Sequence, residues 1–315
     1  MSDKPAELLT PDAAGIARAA ELLRAGAPVA LPTETVYGLA ARADDAAAVA
    51  AIYRAKGRPD FNPLIVHVPD MAAAQTLALF DDRAQALAAA FWPGPLTLVL
   101  PLRPEATIAP AVTAGLPTIA LRCPAHPLMR RVLAEAGLPL AAPSANRSGG
   151  VSPTAPAHVA ASLNGRIAAI LDGGPCESGV ESTVVALRAD GSWQLLRHGP
   201  VTQAMLVPVL GGEPVPLADA RVEAPGQLAS HYSPGKPVRL DAVMADRDEY
   251  WIGFGAVAGD TSLSAVGDLA EAAARLYAAL YLAAAAPQPR VAVAPVPDGG
   301  IGAAINDRLR RAAAG

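Results

Sequence analysis

Six short segments carry residue types able to handle anions. Pro32-Thr33-Glu34-Thr35-Val36-Tyr37-Gly38 supplies three hydroxyls and a carboxylate directly after the apolar run Val29 to Leu31. Lys56-Gly57-Arg58-Pro59 sets an ammonium and a guanidinium two residues apart at an expected helix end, where glycine permits close backbone approach. Followed by Asn62 and His67, that pair suits a polyphosphate or a carboxylate, and both cations are expected to stand exposed in a cleft. Thr118 and Arg122 are four apart in an apolar strand and so face one side of a sheet. Ala142 to Thr154 strings hydroxyls, an amide and paired glycines after another strand, with Ser152 or Thr154 placed to cap the next helix. Glu181-Ser182-Thr183 opens a strand after a Gly-rich loop, and Arg197-His198-Gly199 closes the next. Each segment alone fits ordinary turn chemistry; it is their joint order, all at strand ends, that points to one site.

Other chemistries lack their residues. There is no GxxxxGK[ST], so a nucleotide would be bound without a P-loop, and no GxSxG of a serine hydrolase. Gly253-Phe254-Gly255 with Gly259 departs from GxGxxG and reads as a strand-to-loop turn. The five histidines form no HExxH pair, and Cys123 and Cys176 stand far apart, so the cysteines are expected in the core and no protein-built metal site is expected. Lysine occurs only at Lys4, Lys56 and Lys236; where arginine is the default cation, Lys56 invites a chemical explanation.

The elements that must position these residues follow from length and punctuation. The chain has 315 residues, of which 52% are hydrophobic and 17% charged, enough for two domains. Mean hydropathy is +0.29, but the longest wholly apolar run, Leu276 to Ala286, is short of the ~18 residues a bilayer requires. Met1 to Leu9 reads as neither signal nor transit peptide, so a soluble cytoplasmic protein without membrane contact is expected. Residues 1–212 hold 16 basic and 17 acidic side chains and 213–315 hold 9 and 12, which gives no bulk attraction for nucleic acid.

Thr10-Pro11-Asp12 reads as an N-cap with proline at the first helical position, the helix running to Gly26, and Asp44 or Asp45 caps a helix ending near Lys56. Strands are expected at Val29 to Leu31, Leu64 to Val68, Leu96 to Leu100, Thr118 to Arg122, Leu138 to Ala142, Ile167 to Leu171, Ser182 to Leu187 and Gln194 to Arg197. With helices between them, this region is α/β with a mixed sheet. The Pro-rich stretch Gly211 to Pro237 has a linker's composition. Strands at Val238 to Leu240, Trp251 to Val257 and Val291 to Val293, alternating with helices around Ala265 to Ala286 and Ile301 to Ala314, fit a small parallel α/β domain.

The ordered set PTETVYGL, KGRP with Asn62 and His67, PSAN, SGGVSPT, ESTVV and RHG resembles the YrdC-like domain of the threonylcarbamoyl-AMP synthases over about residues 10–210. Pro225-Gly226 followed by His231-Tyr232-Ser233-Pro234 is similar to the linker of the two-domain members, and Gly302 to Leu309 to the end of their C-terminal domain. The resemblance implies a YrdC-like twisted mixed sheet over 1–212, a linker closing over the active site over 213–237, and a smaller Rossmann-like parallel domain over 238–315. It implies synthesis of L-threonylcarbamoyladenylate from L-threonine, bicarbonate and ATP. Pyrophosphate and water leave, and the product feeds threonylcarbamoyladenosine next to the anticodon of tRNAs reading ANN codons.

By the same resemblance Lys56 and Arg58 are catalytic, around the phosphates. Arg58, Asn62, Thr118, Ser144, Ser152, Arg197 and Tyr232 contact ATP; Thr35, His67, Arg122, Ala142 and Ser182 hold threonine; His231 and Tyr232 fold over the pocket. The metal is Mg²⁺ carried by ATP rather than by protein ligands, and the implied partners are the downstream tRNA threonylcarbamoyl transferase machinery and, weakly, tRNA. Two departures fall in the linker: Ala224 replaces a common serine, and Gln227 to Ser230 lacks the usual basic residues. The chemistry fits the residue types, because a carbamate attacking an α-phosphate is a meeting of two anions that nearby cations must neutralise. The alternatives are an RNA-binding module without turnover, and a carbamoyl-adenylate enzyme with another acceptor.

Overall fold

Short apolar runs stopped by proline or glycine become strands here, and alanine-rich runs preceded by aspartate become helices. The computed structural model describes residues 5–59, 61–216, 223–226 and 231–315. In chain order the first region holds β1 (Glu7–Leu9), α1 (Ala13–Arg24), β2 (Val29–Leu31), β3 (Gly38–Arg42), α2 (Ala46–Lys56), β4 (Ile65–His67), α3 (Met71–Leu77), α4 (Asp82–Phe91) and β5 (Leu96–Pro101). It continues with α5 (Pro110–Thr113), β6 (Thr118–Arg122), α6 (Pro127–Ala136), β7 (Leu140–Ala141), α7 (Pro156–Leu163), β8 (Ala169–Leu171), β9 (Thr183–Leu187), β10 (Trp193–Arg197) and α8 (Gln203–Leu210). The second holds β11 (Val238–Arg239), β12 (Glu249–Gly253), β13 (Thr261–Ser262), α9 (Leu269–Ala285), β14 (Arg290–Val293) and α10 (Gly302–Ala313).

Ten strands form one mixed sheet in the order β1-β8-β2-β3-β7-β4-β6-β5-β9-β10. β4/β6 and β5/β9 are parallel, whereas β2/β3, β3/β7, β4/β7 and β9/β10 are antiparallel. The smaller sheet, β11-β14-β12-β13, is parallel throughout as expected, but strand and helix do not alternate regularly: β11, β12 and β13 follow one another without a helix, and only α9 crosses over between β13 and β14. Both cysteines are buried in the core of the first region.

The two regions share apolar packing. Val36, Val151 and Val180 of the first region and Tyr232 of the linker belong to the buried cluster built on Leu276, Tyr277 and Leu280 of α9. A Cβ on Gly179 would fall 2.3 Å from the Ala273 carbonyl, so the loop before β9 lies directly against α9. Among the described residues no helix is long and apolar enough to cross a membrane.

Local details correct the expectations. Asp12 rather than Thr10 caps α1, so Pro11 precedes the cap. Ala155 at the start of α7 gives no side-chain cap: the Ser152 hydroxyl goes to Glu181, and Thr154 faces His158. Two strands carry little signal: β1 is mostly exposed at the sheet edge, and the buried β3 lacks the alternation of a one-faced strand. Met1 to Lys4 lie outside the described residues.

Candidate active site

The sheet gathers strand ends around one cleft. His67 closes β4 and Arg122 closes β6, and the parallel register makes them direct neighbours. The turn after β2 contributes Thr33 and Thr35, the turn after β7 contributes Ser144, and the segment entering β9 contributes Ser182.

Arg122 organises one end. Its Nε donates to the Gly94 carbonyl (3.2 Å) and its Nη1 to Thr35 Oγ1 (2.9 Å). Thr33 Oγ1 donates to the Val36 carbonyl (2.6 Å), so across the 2.8 Å contact Thr35 must donate to Thr33, which fixes the direction of the whole hydroxyl chain. Glu34, 2.7 Å from Arg122 Nη2, would be raised by burial, but the guanidinium outweighs this and holds its carboxyl below the ordinary value. His67 is buried beside them with Nδ1 unpartnered, and burial, with the Arg122 charge, lowers it to about 3.

Lys56 is not exposed, contrary to expectation. It is 2% accessible and lies behind the cavity wall, its Nζ donating to the Ser144 and Asn146 carbonyls, both at 2.5 Å. The α2 C-cap, Gly57 at φ 59°, turns the chain so that Lys56 points into the loop and Arg58 follows at the cleft. Burial first, then the Arg58 charge, pushes the Lys56 ammonium well below its ordinary value. Arg58 borders the cavity and donates to the Asn62 and Pro63 carbonyls at 3.3 and 3.0 Å. Burial brings it down to about 10, which leaves it charged at neutral pH. Buried cations whose hydrogen bonds go to uncharged groups favour an anion.

The linker closes the cleft. Arg197 Nε and Nη2 donate to the carbonyl and hydroxyl of Ser182 at 2.9 and 3.0 Å, and Nη1 to the Pro225 carbonyl at 3.1 Å. Gly226, at φ 91°, presses on it: a Cβ there would sit 2.8 Å from Arg197 Cδ. His231 and Tyr232 complete the roof, with Tyr232 at φ 65°, a conformation that a bulky residue rarely adopts. The free space beneath the roof is about 40 Å³, too small for a nucleotide as it stands.

Thr35, Arg58, His67, Arg122, Ala142, Ser144, Ser182, Arg197, His231 and Tyr232 thus border one cavity. Asn62 is buried beneath Arg58 with its side-chain oxygen unpartnered, and Ser152 is turned to Glu181. Thr118 begins the strand that Arg122 ends, ~13 Å away at 3.3 Å per residue, and does not border the cavity. Ala224 is buried against Leu196; residues 227–230 lie outside the described residues. Among the described residues no cluster of three potential metal ligands exists.

The site residues expected from sequence included Ser152 but not Glu181, Tyr277 or Arg308. Glu181 borders the cavity and accepts from Ser152 (2.6 Å), Tyr277 (2.8 Å) and Arg308 (2.9 Å). Burial would raise it, but Arg308, Arg197 and Ser152 outweigh that and hold it at about 2. The ESTVV segment contained Glu181, but nothing in that segment indicated a partner 127 residues away.

A mixed sheet presenting cations and hydroxyls beneath a linker roof makes this an α/β protein with an anion-binding cleft. Residues 21–199 match the family profile described as Telomere recombination, and residues 201–314 that described as Threonylcarbamoyl-AMP synthase, C-terminal domain. The threonylcarbamoyl-AMP synthase of Bacillus subtilis is 43% identical over 95% of this chain and 93% of its own length. That of Pyrococcus abyssi is 44% identical over 70% of this chain and 66% of its own. A crystal structure of P. abyssi Sua5 complexed with L-threonine superposes with a TM-score of 0.89 at 34% identity, covering 98% of this chain and 97% of that one. The chain belongs to the threonylcarbamoyl-AMP synthase family.

Proposed function

We propose that this chain forms L-threonylcarbamoyladenylate from L-threonine, bicarbonate and MgATP, releasing pyrophosphate and water. The observation that carries the reading is the union in one roofed cavity of Arg122 with Thr35 and His67 at one end, and Arg58, Ser144 and Arg197 nearby. A guanidinium beside hydroxyls fits an amino-acid carboxylate, and the further cations fit phosphates. The threonine amine attacks bicarbonate to give a carbamate, whose oxygen attacks the α-phosphorus and expels pyrophosphate. Arg58 and Arg197 offset the repulsion between the two anions, with Lys56 acting through the loop it clasps.

His67 and His231 are both held at about 3 by burial, which makes them poor proton acceptors for an ammonium near neutral pH and better hydrogen-bond partners. Roof closure then strengthens each electrostatic contact by excluding water. The adenylate would pass to a tRNA threonylcarbamoyl transferase for adenosine next to the anticodon, and we place the reaction in the cytoplasm. The test is pyrophosphate release from ATP with threonine and bicarbonate each omitted in turn. Both omissions abolish release under this reading, and an unchanged rate without threonine refutes it.

A further inference from the structure

Arg308 is the largest fully buried side chain among the described residues, at 0% exposure, and it is a cation. It belongs to α10 of the second domain, yet most of its contacts lie outside that domain. Nε meets Glu181 Oε2 at 2.9 Å, Nη2 donates to the His198 carbonyl at 2.9 Å, and its guanidinium carbon lies 5.5 Å from the centroid of the Tyr232 ring. Asp307, 2.8 Å from Nη1, is its hydrogen-bond partner within the second domain. Tyr277 of α9 reaches the same Glu181 oxygen, and the close approach at Gly179 fixes the loop on which Glu181 stands.

We propose that Arg308 is a positioning residue for the adenylate-forming reaction, fixing Glu181 and with it Ser152 and the Tyr232 roof. The second domain thereby sets the geometry of a cavity that it does not line. Domain adhesion alone does not account for a buried ion pair, since well-packed apolar residues serve as well or better. What the guanidinium adds is one orientation of a carboxylate at the cavity edge, together with a charge against the face of Tyr232. Without Arg308, Arg197 is the cation left to attract Glu181, and Arg197 is what holds Ser182 and Pro225. Ser152, Ser182 and the roof would then shift together.

The proposal rests on the synthase reading, so its test has one kinetic and one substrate-free arm. In the full chain, Arg308→Met should raise the KM for ATP at least about tenfold, equivalent to ~1.4 kcal/mol of binding, with a smaller fall in kcat. Arg308→Lys, which keeps the charge, should recover most of that loss. Because the methionine variant leaves Glu181 buried without its partner, Arg308→Met/Glu181→Gln is the control: its melting temperature should return toward wild type while KM stays raised. Wild-type KM in either the single or the double variant overturns the proposal. Should the wild-type chain release no threonine-dependent pyrophosphate, the synthase reading fails, and hydrogen exchange over residues 231–235 decides the positioning role. Exchange there should be faster in Arg308→Met, and equal rates overturn it.

Discussion

Arg122 Nη2 lies 2.7 Å from Glu34 Oε1, an ion pair with both groups buried. The guanidinium is therefore anchored by Nε on the Gly94 carbonyl, by Nη1 on Thr35 and by the Glu34 carboxylate beside Nη2, which fixes its plane at the cavity edge. Arg122→Lys preserves the charge but not this planar arrangement. It should raise the KM for threonine at least about tenfold and that for ATP far less. Initial rates over both substrates measure this; equal rises would remove Arg122 from the threonine subsite.

Lys56→Ala should lower stability as well as activity. It strips the Asn146 carbonyl of its buried donor, at about 1–3 kcal/mol for a carbonyl left unpaired, while the Ser144 carbonyl keeps the Asn146 N–H at 3.0 Å. Urea unfolding reads this directly. A variant as stable as wild type would contradict the clasp between α2 and the 144–148 loop.

Gly226→Ala should damage catalysis more than folding. The new methyl meets Arg197 Cδ at 2.8 Å and the Tyr232 hydroxyl at 3.3 Å, at a φ of 91° that alanine resists. A kcat/KM reduced more than about tenfold, with a melting temperature within a few degrees of wild type, is the expected pair of results. Wild-type kinetics would show that the roof tolerates displacement.

Acid should destabilise the chain in two stages. Burial holds His67 and His231 at about 3, while unfolded imidazoles titrate near 6.5. Between those values the unfolded chain binds more protons, so stability falls as pH drops below 6.5. Glu181, at about 2 against an ordinary 4.5, acts in the same direction: its stabilisation is present above 4.5 and lost as pH falls towards 2. Melting temperature followed from pH 8 downward should decline below 6.5, and His67→Gln should flatten the upper part of that slope. An unaltered slope would mean that His67 does not titrate on unfolding.

Removing residues 236–315 should expose Val36, Val151 and Val180, which share a core with α9. The shortened chain should bind a hydrophobic dye such as ANS and melt earlier than the full chain. An unchanged melting temperature without dye binding would show that the first region is self-sufficient.

The sequence by itself determined most of the elements and the membership of the cavity. Apolar runs such as Thr118 to Arg122, bounded by proline and followed by polar residues, specify strands whose ends carry the chemistry, and aspartates before alanine-rich runs specify helix starts. Such signals are local, so they can be read without knowing what packs where. Burial and long-range pairing were decided only by the tertiary structure. Lys56 reads as an exposed helix-end cation, but the loop after β7 covers it. Arg308 reads as one of several arginines on a C-terminal helix, but docking of the two domains buries it against Glu181. A charge shows its environment only when the segments around it converge, and here they converge across 127 residues of chain.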